Sequence, residues 1–243
     1  MSIAEGEDMM VRKVICALDT HDLGEALRIT QRLAPYVGAF KIGHSLTLSH
    51  GLDVVARLQD VGANRIFLDL KFHDIPNSVA LAVGEAARRG VWMMTLHLSG
   101  GPAMIAASVA EARAWSEGTG PMLIGVSVLT SLDQATLTNH LGINRTIEEH
   151  MVALSQMGVD NDLDGVVCSA QEVKAIRKAI GNRVIVTPGI RLPNTDVHDQ
   201  KRTGEASQAL ADGADYLVIG RALTSSPDPE ETLRLLGFET ANA

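Results

Sequence analysis

Eight short runs of apolar, β-branched sequence recur along the chain and alternate with amphipathic helical patterns. They span residues 14–19, 39–43, 65–71, 92–98, 122–129, 165–169, 183–190 and 216–220. Each run is nearly continuous in apolar residues, as expected for parallel strands that helices cover on both faces. The alternation leaves two folds open, a doubly wound open sheet and a closed (β/α)8 barrel. The count of eight and the even spacing favour the barrel.

Several helix starts carry explicit signals. Thr146 and Ser169 are each followed three residues later by a glutamate, which is the capping-box pattern. Asp228 begins a close variant of that pattern before the last predicted helix. The long gap after the fifth strand predicts an extra short helix around residues 133–140.

No linker or change of composition divides the chain, so we expect one α/β domain over residues 1–243. Loose tails are expected at about residues 1–10 and 240–243. The net charge of −8, from 29 acidic and 21 basic residues, argues against non-specific binding to nucleic acid or to an anionic membrane.

Two cysteines, Cys16 and Cys168, both lie in apolar strand-like runs. This placement is typical of buried thiols in a reducing compartment. The acidic N-terminus lacks the apolar segment of a signal peptide, and no apolar run is long enough to span a bilayer. We therefore expect a soluble, cytoplasmic protein.

Charged or hydroxyl side chains stand at most of the predicted strand ends. In a (β/α)8 barrel the chemistry lies at the carboxyl ends of the strands. Asp69 and Lys71 are two residues apart, so on a regular strand they point to the same side. Packing alone does not explain so many polar residues at one barrel face, and the pattern indicates the active site of an enzyme. These residues are Asp19, Lys41, Asp69, Lys71, Asp74, Thr130, Ser131, Arg191 and Arg221.

The loops after strands 7 and 8 each pair a glycine with an arginine. Gly189 precedes Arg191 by two residues, and Gly220 directly precedes Arg221. Glycine lets backbone N–H groups approach an anion, and the guanidinium fork matches phosphate oxygens. Because these two loops commonly bind phosphate in such barrels, the sequence predicts a phosphate-bearing ligand.

Motifs at the strand ends resemble those of the orotidine 5′-phosphate decarboxylase family, bacterial type. The resemblance extends in the same order from Asp19 to Arg221. The Asp-x-Lys-x-x-Asp pattern alone is shared with sugar-phosphate decarboxylases of the same superfamily, whereas the full set is more specific. The matching segments are residues 17–19, 40–43, 69–78, 129–131, 186–191, 199–200 and 218–221.

The resemblance implies decarboxylation of orotidine 5′-monophosphate to uridine 5′-monophosphate in de novo pyrimidine synthesis, without metal or organic cofactor. Lys71 is then the proton donor to C6 of the pyrimidine, and Asp69 lies beside the substrate carboxylate. Lys41 and Asp74 complete an alternating network of charges, with Asp74 supplied by the other subunit of a homodimer.

The resemblance also implies which residues bind the nucleotide substrate. Asp19 and Lys41 bind ribose hydroxyls, Thr130 and Ser131 lie at the pyrimidine, and Gln200 reaches both base and phosphate. The full implied set is Asp19, Lys41, Asp69, Ile75, Ser78, Thr130, Ser131, Pro188, Arg191, Gln200, Gly220 and Arg221.

The chain departs from the family pattern in four places, without altering any of the charged site residues. Leu98 stands where a smaller residue is common, residues 44–49 are atypical, and Glu205 with Ala206 replaces a usual Thr-Pro helix start. Ser78 stands where threonine is frequent, but it keeps the hydroxyl. Two other functions stay open. One is a metal-dependent sugar-phosphate decarboxylase or epimerase of the same superfamily, and the other is a non-catalytic phosphate-ligand-binding barrel.

Overall fold

The computed structural model describes residues 12–115, 120–190 and 205–238, and it forms a closed barrel of eight parallel strands. Each strand pairs with its neighbours in chain order, and β1 pairs with β8 to close the sheet. The predicted (β/α)8 barrel is therefore confirmed, and the alternative of a doubly wound open sheet is excluded. The strands are β1 Val14–Leu18, β2 Ala39–Ile42, β3 Ile66–Phe72, β4 Met93–His97, β5 Met122–Val126, β6 Gly165–Val167, β7 Val184–Thr187 and β8 Tyr216–Ile219. The expected tails lie outside the described residues.

Helices connect the strands and cover the outside of the barrel. Within the described ranges they are α1 Leu23–Leu33, α2 His44–His50, α3 Val54–Gln59, α4 Pro76–Arg88, α5 Gly101–Ala114, α6 Gln134–Asn139, α7 Ile147–Asp160, α8 Val173–Ile180, α9 Ala206–Ala211, α10 Arg221–Thr224 and α11 Pro229–Leu235. None of these helices is both long and apolar enough to cross a lipid bilayer.

The predicted helix starts are largely confirmed. Thr146 forms the full capping box of α7, and the Asp228 side chain accepts the backbone N–H of the third residue of α11. The extra short helix is α6. At Ser169 only half of the predicted capping box forms. The Glu172 carboxylate accepts the Ser169 backbone N–H at 2.9 Å, but the Ser169 hydroxyl donates to the same carboxylate and the regular helix α8 begins only at Val173.

Two of the departures from the family pattern are accommodated by ordinary helices. Residues 44–50 form α2, which buries Leu46 completely against the core. Helix α9 begins after Glu205, whose side chain makes no capping hydrogen bond. The missing cap therefore weakens one helix start without disturbing the barrel.

The two-residue period of the strands divides the apolar residues into two layers. An inner cluster fills the barrel axis, and an outer cluster packs between the strands and the helices. The inner cluster comprises Ile15, Ala17, Ala39, Phe67, Met93, Ile124, Val186 and Val218. Trp92 and Tyr216 meet edge to face at the amino ends of β4 and β8, with ring centroids 5.2 Å apart. The amino end of the barrel is thus filled by aromatic side chains.

Leu98, the third departure, is packed against two glycines. It follows β4 and is completely buried. A Cβ built on Gly125 would lie 2.5 Å from Leu98 Cδ2, and one built on Gly158 would lie 2.8 Å from the same atom. The larger side chain at position 98 therefore fits because β5 and α7 present no side chain to it.

We predict that Gly125→Ala destabilises the protein by about 1–3 kcal/mol, because the added methyl overpacks the site. The same substitution should cost less in a Leu98→Ala background, since the nearest crowding atom is then gone and only Leu163 Cδ2, 2.7 Å from the built Cβ, still crowds it. Urea unfolding of the wild type, both single variants and the double variant measures this coupling. An equal cost of Gly125→Ala in both backgrounds would show that Leu98 does not set the fit.

Candidate active site

Polar side chains continue the inner layer of the barrel at its carboxyl end. Two residues beyond Ala17, Ala39 and Phe67 come Asp19, Lys41 and Asp69, on the same face of their strands. Strand β4 continues the same way from Met93 to Thr95 and His97, and β8 from Val218 to Gly220. The apolar layers below therefore support a ring of polar groups at the mouth.

Four of the predicted residues form one line of ion pairs across β1, β2 and β3, called here the charge line. Lys41 Nζ lies 3.3 Å from Asp19 Oδ1 and 3.7 Å from Asp69 Oδ2. Lys71 Nζ lies 2.9 Å from Asp69 Oδ1. The charges alternate along Asp19, Lys41, Asp69 and Lys71, so each charge of the line has a neighbour of opposite sign.

Asp69 is the central and most enclosed carboxylate of the charge line, with its side chain 15% exposed. Burial alone raises its pKa, but the charges of Lys41 and Lys71 oppose that effect, as do hydrogen bonds from Lys71 and Thr95. The net result is a pKa below the ordinary value. Asp69 is therefore ionised near neutral pH and holds both ammonium groups in place.

The backbone at Lys71 does not follow a regular strand. Its φ angle is +51°, in the left-handed region that a residue with a side chain rarely adopts. The β3–β4 register also shifts between Leu68 and Phe72. Asp69 and Lys71 do meet on one side of β3, as expected. The backbone that brings them together is irregular, however, and does not follow the simple alternation of a strand. Such a conformation costs on the order of 1–3 kcal/mol and clusters at functional sites.

Thr95 is a site residue that the sequence analysis missed. Its side-chain oxygen donates to Asp69 Oδ1 at 2.9 Å and accepts the Lys71 backbone N–H at 2.9 Å. Thr95 lies between Met93 and His97 on the inward face of β4. That parity was the available signal, although a threonine inside a strand carries no charge to draw attention to it.

His97 and His73 form a pair beside the charge line, with ring centroids 5.3 Å apart. Burial lowers the pKa of His97, and the nearby His73 and Lys71 lower it further. His97 also contacts the Val126 backbone through a hydrogen bond. It is therefore neutral at pH 7 and contributes no further positive charge to this crowded corner.

Asp74, Ile75 and Ser78 follow β3 but do not reach the charge line of their own chain. Asp74 is exposed, and its Oδ1 accepts the Ile75 backbone N–H at 2.6 Å. Ile75 is 66% exposed just before α4, and Ser78 is half-buried in the first turn of that helix. In the single chain, Asp74 and Ile75 are thus exposed and Ser78 is half-buried.

Of the predicted phosphate and base residues, those that the structure describes follow strands β5, β7 and β8. Gly220 caps α10, and a Cβ built on it would lie 3.7 Å from Asp19 Oδ2. Arg221 is exposed at the first position of α10, and Pro188 is half-buried after β7. Thr130 is half-buried and Ser131 exposed beyond β5. Arg191 and Gln200 lie outside the described residues.

Arg32 is a second residue that the sequence analysis missed. From the last turn of α1 its guanidinium donates to the carbonyls of Thr224 at 2.7 Å and Ser226 at 2.6 Å. Those carbonyls lie at the end of α10 and just beyond it. Arg32 therefore anchors the one-turn helix that carries Arg221.

The described residues contain no group of three or more His, Cys, Asp or Glu side chains placed to hold a metal ion. What the mouth does offer is the partly exposed ammonium of Lys71, held by an ionised carboxylate. Such a group can stabilise developing negative charge and donate a proton to it.

Curated relatives match this chain over most of its length. Two curated relatives, each named orotidine 5′-phosphate decarboxylase, are 43% identical to the chain. The relative from Moorella thermoacetica aligns over 93% of this chain and 91% of its own length, and that from Chromobacterium violaceum over 96% and 94%.

Solved structures share both the barrel and part of the sequence. The crystal structure of orotidine 5′-phosphate decarboxylase from Lactobacillus acidophilus has a TM-score of 0.81 and 32% identity, covering 94% of this chain and 99% of that one. An uncharacterized conserved protein from Geobacillus kaustophilus has a TM-score of 0.80 and 33% identity, covering 93% and 99%. A family model matches residues 12–236 of the chain. The chain therefore belongs to the orotidine 5′-phosphate decarboxylase / HUMPS family.

Proposed function

We propose that this chain decarboxylates orotidine 5′-monophosphate to uridine 5′-monophosphate in de novo pyrimidine synthesis. The observation that carries the proposal is the charge line, with Lys71 at its end 2.9 Å from Asp69. The relatives with this name align over more than nine-tenths of the chain and support the same reaction. The protein is acidic and both of its cysteines are buried, and it is expected to act in the cytoplasm.

The chemical difficulty of this reaction is the negative charge that develops on C6, and its stabilisation is assigned to Lys71. When the bond between C6 and the carboxylate breaks, the electron pair stays on C6, and no adjacent carbonyl is placed to accept it. CO2 leaves as a neutral molecule, and the ammonium of Lys71 stabilises the carbanion electrostatically and then transfers a proton to C6. The resulting neutral amine is reprotonated from solvent, which returns the charge line to its starting state.

Asp69 has two roles in this proposal. Its carboxylate holds the Lys71 ammonium in one place, as their 2.9 Å contact supports. It also lies beside the position proposed for the substrate carboxylate, and the repulsion between the two is relieved when CO2 departs. Both effects require that Asp69 stay ionised, which its lowered pKa supports.

The rest of the mouth binds the remainder of the nucleotide. Asp19 and Lys41 are assigned to the ribose hydroxyls, and Thr130, Ser131 and Pro188 to the pyrimidine. The phosphate is assigned to the Gly220 backbone, Arg221, Arg191 and Gln200. The closeness of Gly220 to Asp19 supports a ligand whose ribose and phosphate lie side by side. Binding energy from the phosphate then helps to orient the reacting carbon.

Asp74, Ile75 and Ser78 are assigned to the site of a partner subunit in a homodimer. Two observations support this assignment. No ion pair or hydrogen bond among the described residues joins these side chains to their own charge line, and Ile75 and Leu81 on or beside α4 are 66% and 64% exposed. An apolar surface next to a carboxylate that pairs with no lysine in the described part of the chain fits an isologous contact.

We predict that Lys71→Ala lowers kcat by at least about 10³-fold, because both charge stabilisation and the proton donor are lost. Turnover of orotidine 5′-monophosphate is followed by absorbance with enzyme pretreated with a chelator. Lys178→Ala, an exposed lysine on α8, is the matched control and should keep wild-type activity. Turnover that needs added Mg²⁺ would instead favour the metal-dependent sugar-phosphate class, and absence of turnover in the wild type would refute the proposal.

We predict that Arg221→Ala lowers kcat/KM for the phosphorylated substrate by about 10- to 100-fold, since charge-assisted hydrogen bonds are lost. The phosphate-free nucleoside orotidine should lose much less. Arg57→Ala, at an exposed arginine on α3, serves as the control. Equal losses for both substrates would remove Arg221 from the phosphate site.

We predict that Lys71→Ala and Asp74→Ala, each nearly inactive alone, regain activity when mixed under conditions that exchange subunits. Half of the dimers become hybrids with one intact site, so recovery should approach about a quarter of wild-type activity. Mixing Lys71→Ala with a Lys71→Ala/Asp74→Ala double variant should restore none. No recovery in the first mixture would place Asp74 in its own subunit's site.

A further inference from the structure

We propose that Thr95 is a positioning residue whose hydroxyl fixes both the Asp69 carboxylate and the backbone of Lys71. Its kinetic consequence rests on the decarboxylation proposed above, whereas its structural consequence does not. The barrel wall is irregular beside Thr95, and hydrogen bonds of the Thr95 hydroxyl compensate for that irregularity.

The irregularity is an excess of chain in β3. Leu68 pairs with Met94 and Phe72 pairs with Leu96, so residues 69, 70 and 71 of β3 face the single residue Thr95 of β4. Two surplus residues must therefore bulge out of the hydrogen-bonded ladder. The left-handed backbone of Lys71 ends the bulge, because Phe72 pairs again with β4. A bulge of this kind leaves backbone groups without their regular partners on the next strand.

The Thr95 hydroxyl takes over that lost pairing. Its oxygen accepts the Lys71 backbone N–H at 2.9 Å, so the bulged residue is still tied to β4, through a side chain instead of a carbonyl. Thr95 is 1% exposed, so water does not compete for the bond. Removing the hydroxyl leaves that N–H without this partner in a partly enclosed place and frees the bulge to relax.

The same oxygen also defines the orientation of Asp69. A hydroxyl has one proton to donate and two lone pairs to accept with, so both bonds form at once. Thr95 donates to Oδ1, which is the oxygen that receives the Lys71 ammonium, while Oδ2 is turned to Lys41. One side chain on β4 therefore joins the two ends of Lys71, its N–H directly and its ammonium through Asp69.

This arrangement assigns Thr95 an effect on the reacting centre more than on ligand affinity. The ribose and phosphate groups belong to Asp19, Lys41 and the Gly220 loop, none of which Thr95 bonds. A displacement of Lys71 by about 1 Å can cost about 100-fold in rate, because the ammonium must sit at the carbon it protonates. The signature is a fall in kcat with little change in KM.

The test compares Thr95→Val, which keeps the shape and removes the hydroxyl, with Thr95→Ser, which keeps the hydroxyl. We expect kcat for orotidine 5′-monophosphate to fall about 10- to 100-fold in the valine variant and to stay within about threefold in the serine variant. KM should change by less than about threefold in both. Thr30→Val is the control, since Thr30 is equally buried on α1 and its hydroxyl has no partner among the described residues.

A second measurement needs no turnover. Hydrogen exchange of the Lys71 amide, followed by NMR, should be at least about tenfold faster in Thr95→Val and unchanged in Thr95→Ser and Thr30→Val. Unchanged exchange and unchanged kcat in Thr95→Val would overturn the proposal, as would equal damage in the serine variant. If the wild type did not decarboxylate the nucleotide, the exchange result would still decide the role of Thr95.

Discussion

Closure of the barrel gives each strand one face that points to the axis, and the site depends on which residues occupy that face. Below the mouth the inward positions are apolar and fill the interior, with Ile15, Phe67 and Met93 among them. Toward the carboxyl ends of β1, β2 and β3 the inward positions become charged, at Asp19, Lys41 and Asp69. Because the strands are parallel, these charges meet at one end of the barrel. A shift of one residue in any strand would turn its charge into the outer apolar layer.

The charged ring is tolerated because its members neutralise one another. A carboxylate as enclosed as Asp69 would be costly alone, and removing either lysine would leave it partly unpaired. The three groups therefore restrain one another. Their electrostatic field at the barrel mouth is already in place before any ligand arrives. A preorganised field of this kind is what a reaction with a developing carbanion requires. The left-handed backbone of Lys71 shows that the wall of the barrel is deformed to produce it.

Much of this could be predicted from the sequence because it depends on local periods. The eight apolar runs, the capping box at Thr146 and the inward parity of Asp19 and Lys41 follow from residue spacing alone. The bulge at Lys71 and the hydroxyl of Thr95 could not be predicted, because they depend on the register between β3 and β4. Arg32 acts on carbonyls almost two hundred residues away, at the other end of the chain, and no spacing rule connects them. The role proposed for Asp74 involves a second chain, and neither the residue spacing nor a single subunit tests it.

The contact of Leu98 with Gly125 and Gly158 also constrains how this chain can change over time. The three positions are coupled, since a larger residue at either glycine needs a smaller one at position 98 first, and at Gly125 it also needs room from Leu163, whose Cδ2 would lie 2.7 Å from the added Cβ. Substitutions made in the opposite order pass through an overpacked intermediate. Mutations at these positions are therefore accessible in one order only. A residue larger than glycine, transferred here from a relative with a small residue at position 98, is tolerated only if that small residue is transferred with it.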